Sequence, residues 1–263
     1  MKSSPGASPP YFAQFGEDRI LAEIFSHRSF GTCVEVGAND GITHSMTYHF
    51  ELMGWTCLLV EPIPELFRKI TETRKCIAEN CAASSSEGEV TFSFAHVVPS
   101  MSTLELTKER RESILRAGGN PKEIKIRKRT LDNILAESGI SEIDFISIDV
   151  EGHEMEVLKG FSINQYQPRI VLIEDNSHAT DPSIPDFMRS KSYAIFKRTG
   201  VNDWYALESD QELIPPGQTA YLMKTRNQVA RESRFAQHFA FLLPYIPNRL
   251  KPVLRKILGL KAR

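Results

Sequence analysis

Residues 32–62 constrain the fold most, because two short apolar runs flank a loop that holds two glycines. The runs Thr32–Val36 and Cys57–Val60 have the length and the β-branched composition of parallel strands that are buried on both faces. Gly37 and Gly41 let the backbone turn tightly, so that a ligand can approach the amides at the start of the following helix. The segment therefore predicts one half of a Rossmann-type nucleotide site.

The acid that follows the second run indicates which part of a ligand binds there. Glu61 lies 20 residues after Gly41, at the strand tip where such folds accept hydrogen bonds from the two hydroxyls of a ribose. The loop departs from the GxGxxG pattern of dinucleotide sites, because Asn39 stands where the second glycine would be. Its E-x-G-x-x-x-G pattern, which starts at Glu35, suits S-adenosylmethionine better.

Four stretches of the chain resemble a known family. VEVGANDG, SMTYHFELMGW, LLVEPIPELF and FISIDVEGHEMEVLKG are similar to the FkbM-type S-adenosylmethionine-dependent O-methyltransferases, in order, over roughly residues 11–176. The resemblance implies an α/β fold of the Rossmann-like class I methyltransferase type, with a mostly parallel doubly wound sheet and an antiparallel edge strand. It also implies S-adenosylmethionine as cofactor and, as acceptor, a sugar hydroxyl in a surface polysaccharide or a glycosylated metabolite.

Residues near the predicted strand ends are the candidate cofactor contacts. Ser45 suits the methionine carboxylate or the substrate, and helix capping alone is an equal alternative. Gln14 could touch cofactor or substrate, or its segment could simply cover the sheet edge. The small residues Cys81 and Ala82 fit an adenine ring that lies against the sheet. The full predicted set is Gln14, Glu35, Gly37, Ala38, Asn39, Gly41, Ser45, Glu61, Pro62, Cys81, Ala82 and Asp149.

Acids follow the next two predicted strands. Asp149 comes after FISI, and Glu174 comes after a fifth strand predicted from Gln167 to Ile173. Ligands of doubly wound sheets bind at this edge, so the group that takes the acceptor proton belongs here. His153 is of a type that more often lies on a surface or caps a helix, but an imidazole can accept a proton at neutral pH. The catalytic candidates are Asp149, His153 and Glu174, with Glu151, Glu154, Asp175 and His178 nearby.

A second resemblance leaves a metal open. VEVGA, LLVEP, SIDVEG and LIEDN line up with catechol-type, metal-dependent methyltransferases, whose acids at these places hold magnesium. Asp149, Asp175 and Asn176 occupy the matching positions, and three hard oxygen ligands suit Mg²⁺. The FkbM-type family does not oblige a metal, and Glu174 could replace Asp175 as the acid that points inward.

Length and composition predict one catalytic domain. The 263 residues, 41% of them hydrophobic, can bury one substantial core. We expect a disordered leader at 1–10, the methyltransferase domain at 11–226 and a basic amphipathic tail at 227–263. Within the domain, the basic insertion 99–129 either folds over the substrate as a lid that supplies cations or is a solvated surface. The four cysteines lack metal-ligand spacing and are expected to be reduced and structural.

The remaining strands are predicted from short apolar runs. KCIAENCAAS is expected to be a single third strand, and EGEVTFSFA one arm of a hairpin. KSYAIFKRT, WYALE and TAYLMK are expected to complete the sheet, with TAYLMK in the antiparallel edge pair.

Charge is segregated along the chain. Residues 223–263 hold ten Lys/Arg and one acid, so the preceding part is acidic. A basic amphipathic tail can lie in an anionic membrane interface, and a packing helix or an oligomer contact is the alternative. No stretch approaches the roughly 18 apolar residues of a membrane span. We expect a cytoplasmic protein, peripheral at the inner face of the membrane if the tail binds lipid, and no nucleic-acid partner.

Three functions stay open at this point. The preferred one is O-methyl transfer from S-adenosylmethionine to a carbohydrate or a glycosylated small molecule, with an anionic or lipid-linked acceptor among the options. An NAD(P)-dependent oxidoreductase on a similar fold is disfavoured by Asn39 in the loop. A non-catalytic nucleoside-binding module is the alternative from a different class.

Overall fold

The computed structural model describes residues 9–95, 112, 115, 121–177 and 180–215. Most of the predicted leader and of the insertion 99–129, together with His178, the TAYLMK strand and the tail 227–263, lie outside the described residues. Across the described ranges, no helix is long and apolar enough to cross a membrane.

The described residues form two sheets, and the larger one has seven strands. They are β1 (Thr32–Val36), β2 (Thr56–Val60), β3 (Ile77–Glu79), β7 (Phe145–Ile148), β8 (Ile170–Glu174), β9 (Tyr193–Thr199) and β10 (Asn202–Leu207). Their order across the sheet is β3-β2-β1-β7-β8-β10-β9. The helices are α1 (Glu17–Ile24), α2 (Tyr48–Leu52), α3 (Pro64–Thr73), α4 (Leu131–Glu137), α5 (Glu154–Lys159), α6 (Ile163–Tyr166) and α7 (Ser183–Ser190).

Five neighbouring strands of this sheet run parallel. β1 pairs with β2 and β7, β2 with β3, and β7 with β8, all in parallel register. β10 is antiparallel to both β8 and β9. The mostly parallel α/β fold is therefore confirmed. KSYAIFKRT and WYALE form the antiparallel edge pair among the described strands.

The two faces of the sheet explain the apolar runs of its central strands. On β1, Val34 and Val36 pack into a cluster on one face, while Cys33 packs into a second cluster on the other. On β7, Ile146 and Phe145 divide in the same way. Alternate side chains point to opposite faces and both faces are covered, so these strands carry continuous apolar sequence.

The single third strand was a wrong prediction, because the chain leaves the main sheet after β3. Ala82–Ala83 forms β4, which belongs to a small sheet of order β4-β6-β5. The side chain of Asn80 donates from Nδ2 to the backbone oxygens of Glu61 (2.8 Å) and Pro62 (3.2 Å), which ties down the break between β3 and β4.

The small sheet also contains the described part of the insertion. Residues Pro121–Arg129 form β6, which is antiparallel to β5 (Gly88–Ala95). Lys125 and Arg127 are exposed on β6, whereas Arg129 is buried and forms ion pairs with glutamates. The dense basic run is thus a strand of a hairpin, and a lid built from the rest of the insertion stays a prediction.

Candidate active site

A cavity of about 570 Å³ lies at the carboxyl ends of the parallel strands. Its walls come from the loops that follow β1, β2, β7 and β8, as the crevice rule for such sheets requires. Most of the predicted site residues line it. They are Gln14, Glu35, Gly37, Ala38, Asn39, Glu61, Pro62, Cys81, Ala82, Asp149, His153, Glu174 and Asn176.

The loop after β1 is shaped by close backbone packing. Gly37 has φ +87°, and a Cβ on it would lie 1.7 Å from the backbone oxygen of Asp149. The Gly37 N–H donates to Val60 O at 2.9 Å. We expected the approach of a ligand to require a glycine here. The backbone that follows β7 already leaves no room for a side chain. Asn39, in the left-handed region at φ 52°, turns its N–H toward the Glu61 carboxylate.

Glu61 is held in place by main-chain donors. Its Oε2 accepts from Asn39 N at 2.9 Å and its Oε1 accepts from Ile63 N at 2.8 Å. Burial raises the pKa of this carboxyl to about 8, although both hydrogen bonds oppose the shift. Each oxygen keeps a second acceptor position, so two ribose hydroxyls can be received as the sequence predicts.

Glu35 and Ser45 lie behind the loop and support it. Glu35 accepts from Ser45 Oγ at 2.7 Å and Met46 N at 2.8 Å, and also from Thr47 Oγ1. The guanidinium of Arg74, whose side chain has no exposed surface, pairs with Glu51 at 2.8 Å and donates to Thr47 Oγ1 at 3.1 Å. Gly41 and Ser45 are not among the cavity-lining residues, so they shape the loop from outside the cavity.

The adenine side predicted at Cys81 and Ala82 is small and apolar. Both residues are buried, and Ala82 packs in a small cluster with Ile63 and Ile126. Burial raises the pKa of the Cys81 thiol to about 12, so this cysteine is an apolar wall rather than a nucleophile. A flat ring can lie here, with the ribose directed toward Glu61.

Asp149 and Glu174, here called the acid pair, face each other at the tips of β7 and β8. Burial and then the charge of Glu151 raise the pKa of Asp149 to about 7. Burial and then the charge of Asp149 raise the pKa of Glu174 to about 8. Two carboxyls in contact cannot both ionise easily, so the acid pair retains a proton near neutral pH.

His153 and Glu154 differ in what they can do. His153 lines the cavity and precedes α5, and its Nε2 lies 3.1 Å from Ser84 Oγ. Glu154 instead accepts at Oε1 from Gly152 N (2.9 Å) and Val150 N (3.2 Å), and thereby braces the turn that enters the helix. The turn itself needs Glu151 at φ 55° and Gly152 at φ 101°.

The three predicted magnesium ligands are not brought together. Asp149 and Asn176 line the cavity, but Asp175 pairs with Arg198 at 3.2 Å and also accepts from Ser177 N. Glu174 is the acid that points inward. Among the described residues, no group of three His, Cys, Asp or Glu side chains could hold a metal ion. The catechol-type ligand set therefore does not fit this site.

The Gln14 segment (residues 11–16) closes a further wall. Gln14 and Phe15 line the cavity, and Glu17 at the start of α1 accepts from Phe15 N at 2.8 Å. Glu17 also accepts from Thr199 Oγ1 (2.8 Å) and from Asn202 Nδ2 (2.9 Å). The segment therefore covers the sheet edge and also reaches the cavity, and contact of Gln14 with a ligand stays a prediction.

Sequence reasoning missed several lining residues. Ser147 lies on β7 beneath the acid pair, His44 comes from the loop before α2, Val201 precedes β10, and Asn202 is the first residue of β10. A period-two argument on FISID could have found Ser147, since it lies on the same face as Asp149. The Asn202 position depends on contacts with distant parts of the chain.

The mostly parallel sheet, the glycine loop after β1 and the cavity at the carboxyl ends of the strands are those of a Rossmann-like α/β fold. The model of the methyltransferase FkbM domain family matches residues 35–195, more than half of the chain. The chain belongs to this family. A search of curated protein sequences found no match.

Solved structures of methyltransferases are weakly similar. Precorrin-6y C5,15-methyltransferase from Geobacter metallireducens GS-15 is 9% identical, with 76% of this chain and 90% of that chain covered and a TM-score of 0.38. A TehB-like SAM-dependent methyltransferase from Corynebacterium glutamicum ATCC 13032 Kitasato is 8% identical, with 74% and 88% covered and a TM-score of 0.39. At these scores the likeness supports no further argument.

Proposed function

We propose that this methyltransferase transfers the methyl group to a hydroxyl oxygen of a sugar, in a polysaccharide or a glycosylated small molecule. The acid pair is the observation that carries this proposal. It lies at the tips of β7 and β8, on the other side of β1 from Glu61 at the tip of β2, and all three acids line one cavity. A hydroxyl acceptor needs a group that takes its proton, and the acid pair is such a group.

The reaction is an in-line displacement that the cavity walls would align. The acceptor oxygen forms a bond to the methyl carbon while the carbon–sulfur bond breaks, and its electron pair stays on sulfur as a neutral thioether. The hydroxyl proton passes to the ionised member of the acid pair. Alignment supplies most of the acceleration in such a transfer, and proton removal adds about 10²–10⁴.

The acid pair is a better candidate base than His153. The Nε2 of His153 lies within hydrogen-bonding distance of Ser84, whereas Glu174 Oε2 has no hydrogen-bond partner among the described residues. The backbone carbonyl of Asp149 lies against the loop after β1, so Asp149 can contact the cofactor. The charge of Asp149 also raises the pKa of Glu174. His153 would then line the acceptor path and help to exclude water.

Calorimetry and methyl-transfer assays test the proposal. Titration with S-adenosylmethionine, S-adenosylhomocysteine and NAD should show binding of the first two only. Radiolabelled methyl transfer is then measured on neutral methyl glycosides and on polysaccharide fractions, with alkaline-stable ether products expected. Binding of NAD alone would favour the oxidoreductase, and donor binding without transfer to any hydroxyl compound would leave the non-catalytic binding module.

A further inference from the structure

One buried acceptor atom faces the cavity without a partner. Glu174 is 9% exposed, and its Oε2 has no hydrogen-bond partner within the part of the chain that the structure describes. A buried carboxylate oxygen that lacks a donor is costly, because its desolvation is not offset. Glu174 lines the cavity, so a ligand that enters can supply the missing donor.

A second acceptor lies beside it. Asn202 on β10 is the direct antiparallel partner of Glu174 on β8, and residues opposite each other in such a ladder place their side chains on the same face. The Nδ2 of Asn202 donates to Glu17 Oε1, which also accepts from Thr199 Oγ1. The amide orientation is thereby fixed, and its oxygen rather than its nitrogen is available to the cavity.

The charge of the cavity points the same way. Five acids line it, and no lysine or arginine of the described residues does. The nearby arginines already have partners in the protein. Arg74 donates to Thr47 Oγ1 in the support of the loop behind Glu35, and Arg198 pairs with Asp175 and Asp203.

Burial keeps Glu61, Asp149 and Glu174 partly protonated near neutral pH, since their pKa values are raised to about 8, 7 and 8. A bound S-adenosylmethionine adds one net positive charge, which offsets the remaining negative charge and leaves no excess of positive charge for an anion.

We infer that the part of the acceptor that enters the cavity is uncharged and rich in hydroxyl donors, and that Glu174 and Asn202 receive those donors. This inference rests on the proposed function and narrows its substrate class. It also argues against the anionic acceptor that the basic insertion allowed, because the negative charge of such an acceptor would lie among the carboxyl groups of the cavity. Vicinal hydroxyls of a neutral sugar ring match two adjacent acceptor atoms.

Matched ligands of one ring shape test the inference. The protein saturated with S-adenosylhomocysteine is titrated with methyl hexosides, with the corresponding methyl uronates and 6-phosphates, and with 6-amino analogues. The neutral glycoside is expected to bind at least about tenfold more tightly than its uronate or phosphate, because like charges in a cavity repel. Equal or tighter binding of an anionic analogue would overturn the inference. Tighter binding of the 6-amino analogue would overturn the claim that the acceptor is uncharged.

Two variants separate the contributions of Glu174 and Asn202 to glycoside binding. Glu174→Gln removes the charge at nearly the same volume and should reduce the discrimination against the uronate to less than about threefold. Glu17→Gln allows the Asn202 amide to turn, because the new side chain offers an N–H donor as well as an acceptor oxygen. It should therefore weaken the neutral glycoside about tenfold while S-adenosylhomocysteine affinity stays unchanged. Glu23→Gln, on the exposed side of the same helix, is the matched control and should change neither. Unaltered discrimination in Glu174→Gln would contradict the assignment.

The outcomes also distinguish this inference from the function on which it rests. Normal binding of S-adenosylhomocysteine without binding of any glycoside overturns the inference and leaves the methyltransferase in place. If the unmodified protein does not bind S-adenosylhomocysteine, both the inference and the proposed function are overturned.

Discussion

The two halves of the cavity are built differently. In the cofactor half, formed by the loop after β1 and by Glu35 and Glu61, both carboxylates accept hydrogen bonds from nearby backbone or side-chain donors. In the acceptor half, formed by the tips of β7, β8 and β10, Glu174 Oε2 has no hydrogen-bond partner among the described residues, and the two carboxyls of the acid pair face each other. One half is satisfied before any ligand arrives, and the other depends on a ligand for compensation.

This difference matches the two tasks of the enzyme. A cofactor that binds in one way benefits from preformed contacts, because less conformational freedom is lost on binding. A proton acceptor must retain an unused lone pair and a pKa near the working pH. The acceptor half therefore carries the cost of one buried carboxyl oxygen without a partner among the described residues, at the position where the proposed mechanism needs it.

Removal of the base should have the largest effect. We expect Glu174→Gln to lower kcat by about 10²–10⁴, since it removes proton transfer but keeps the shape of the side chain. Affinity for S-adenosylhomocysteine should stay within about twofold of the unmodified protein. Glu208→Gln, an exposed acid after β10, is the control. A Glu174→Gln enzyme with normal kcat would remove Glu174 from the mechanism.

A methyl group on the loop glycine should be the next most damaging change. Gly37→Ala is expected to lose about 3 kcal/mol or more in the free energy of unfolding, because Cβ strain adds to a collision with Asp149 O. Gly54→Ala separates the two terms: Gly54 has φ +92° but open space around it, so only about 1–2 kcal/mol should be lost. Urea denaturation of both variants measures the difference, and equal losses would show that the close approach is unimportant.

The cofactor half should respond in binding. Above pH 8, where Glu61 is ionised, Glu61→Ala is expected to weaken S-adenosylhomocysteine binding by about 1.5–3 kcal/mol, the range for a hydrogen bond to a charged group. Glu61→Gln keeps one acceptor oxygen and should lose less. Glu65→Ala, an exposed acid on α3, is the control for charge. Calorimetry provides the comparison, and an unaffected affinity in a folded Glu61→Ala protein would place the ribose elsewhere.

The smallest expected effect is on stability against pH. The pKa values of Glu61, Asp149 and Glu174 are raised to about 8, 7 and 8, above the unfolded values near 4. Between these limits the folded state holds more protons than the unfolded state, so stability falls as pH rises. The ligand-free protein should melt at a lower temperature at pH 8.5 than at pH 6. A flat or rising Tm would contradict the raised pKa values, and the Glu61→Gln Glu174→Gln double variant should flatten the dependence.

The cofactor half was predictable because it is encoded within one stretch. Strand, glycine loop, helix and acid follow one another over 31 residues, and each carries its own local signal. The break between β3 and β4 was not predictable, since Asn80 reaches back to the carbonyls that follow β2. Small residues around Cys81 indicated the right wall of the cavity but not the change of sheet.

The acceptor half depends on contacts between distant residues. Strand alternation allows either Glu174 or Asp175 to point inward, and the choice is settled by Arg198, which lies 23 residues away and holds Asp175. Asn202 is oriented by Glu17 across 185 residues. The local sequence around Asp175 or Asn202 does not indicate these distant contacts. The sequence therefore predicted which acids lie near the site but not which of them faces the cavity.

The pH dependence of methyl transfer tests the central claim most directly. With a neutral glycoside acceptor and saturating donor, log kcat should rise with pH and level off at about pH 7–8, as the acid pair loses its proton. In Glu174→Gln the rate should be low and this ascending limb should disappear, whereas a Ser84→Ala change beside His153 should leave it in place. A kcat independent of pH from 5.5 to 9, or an ascending limb that survives in Glu174→Gln, would contradict the assignment of the acid pair as the proton acceptor.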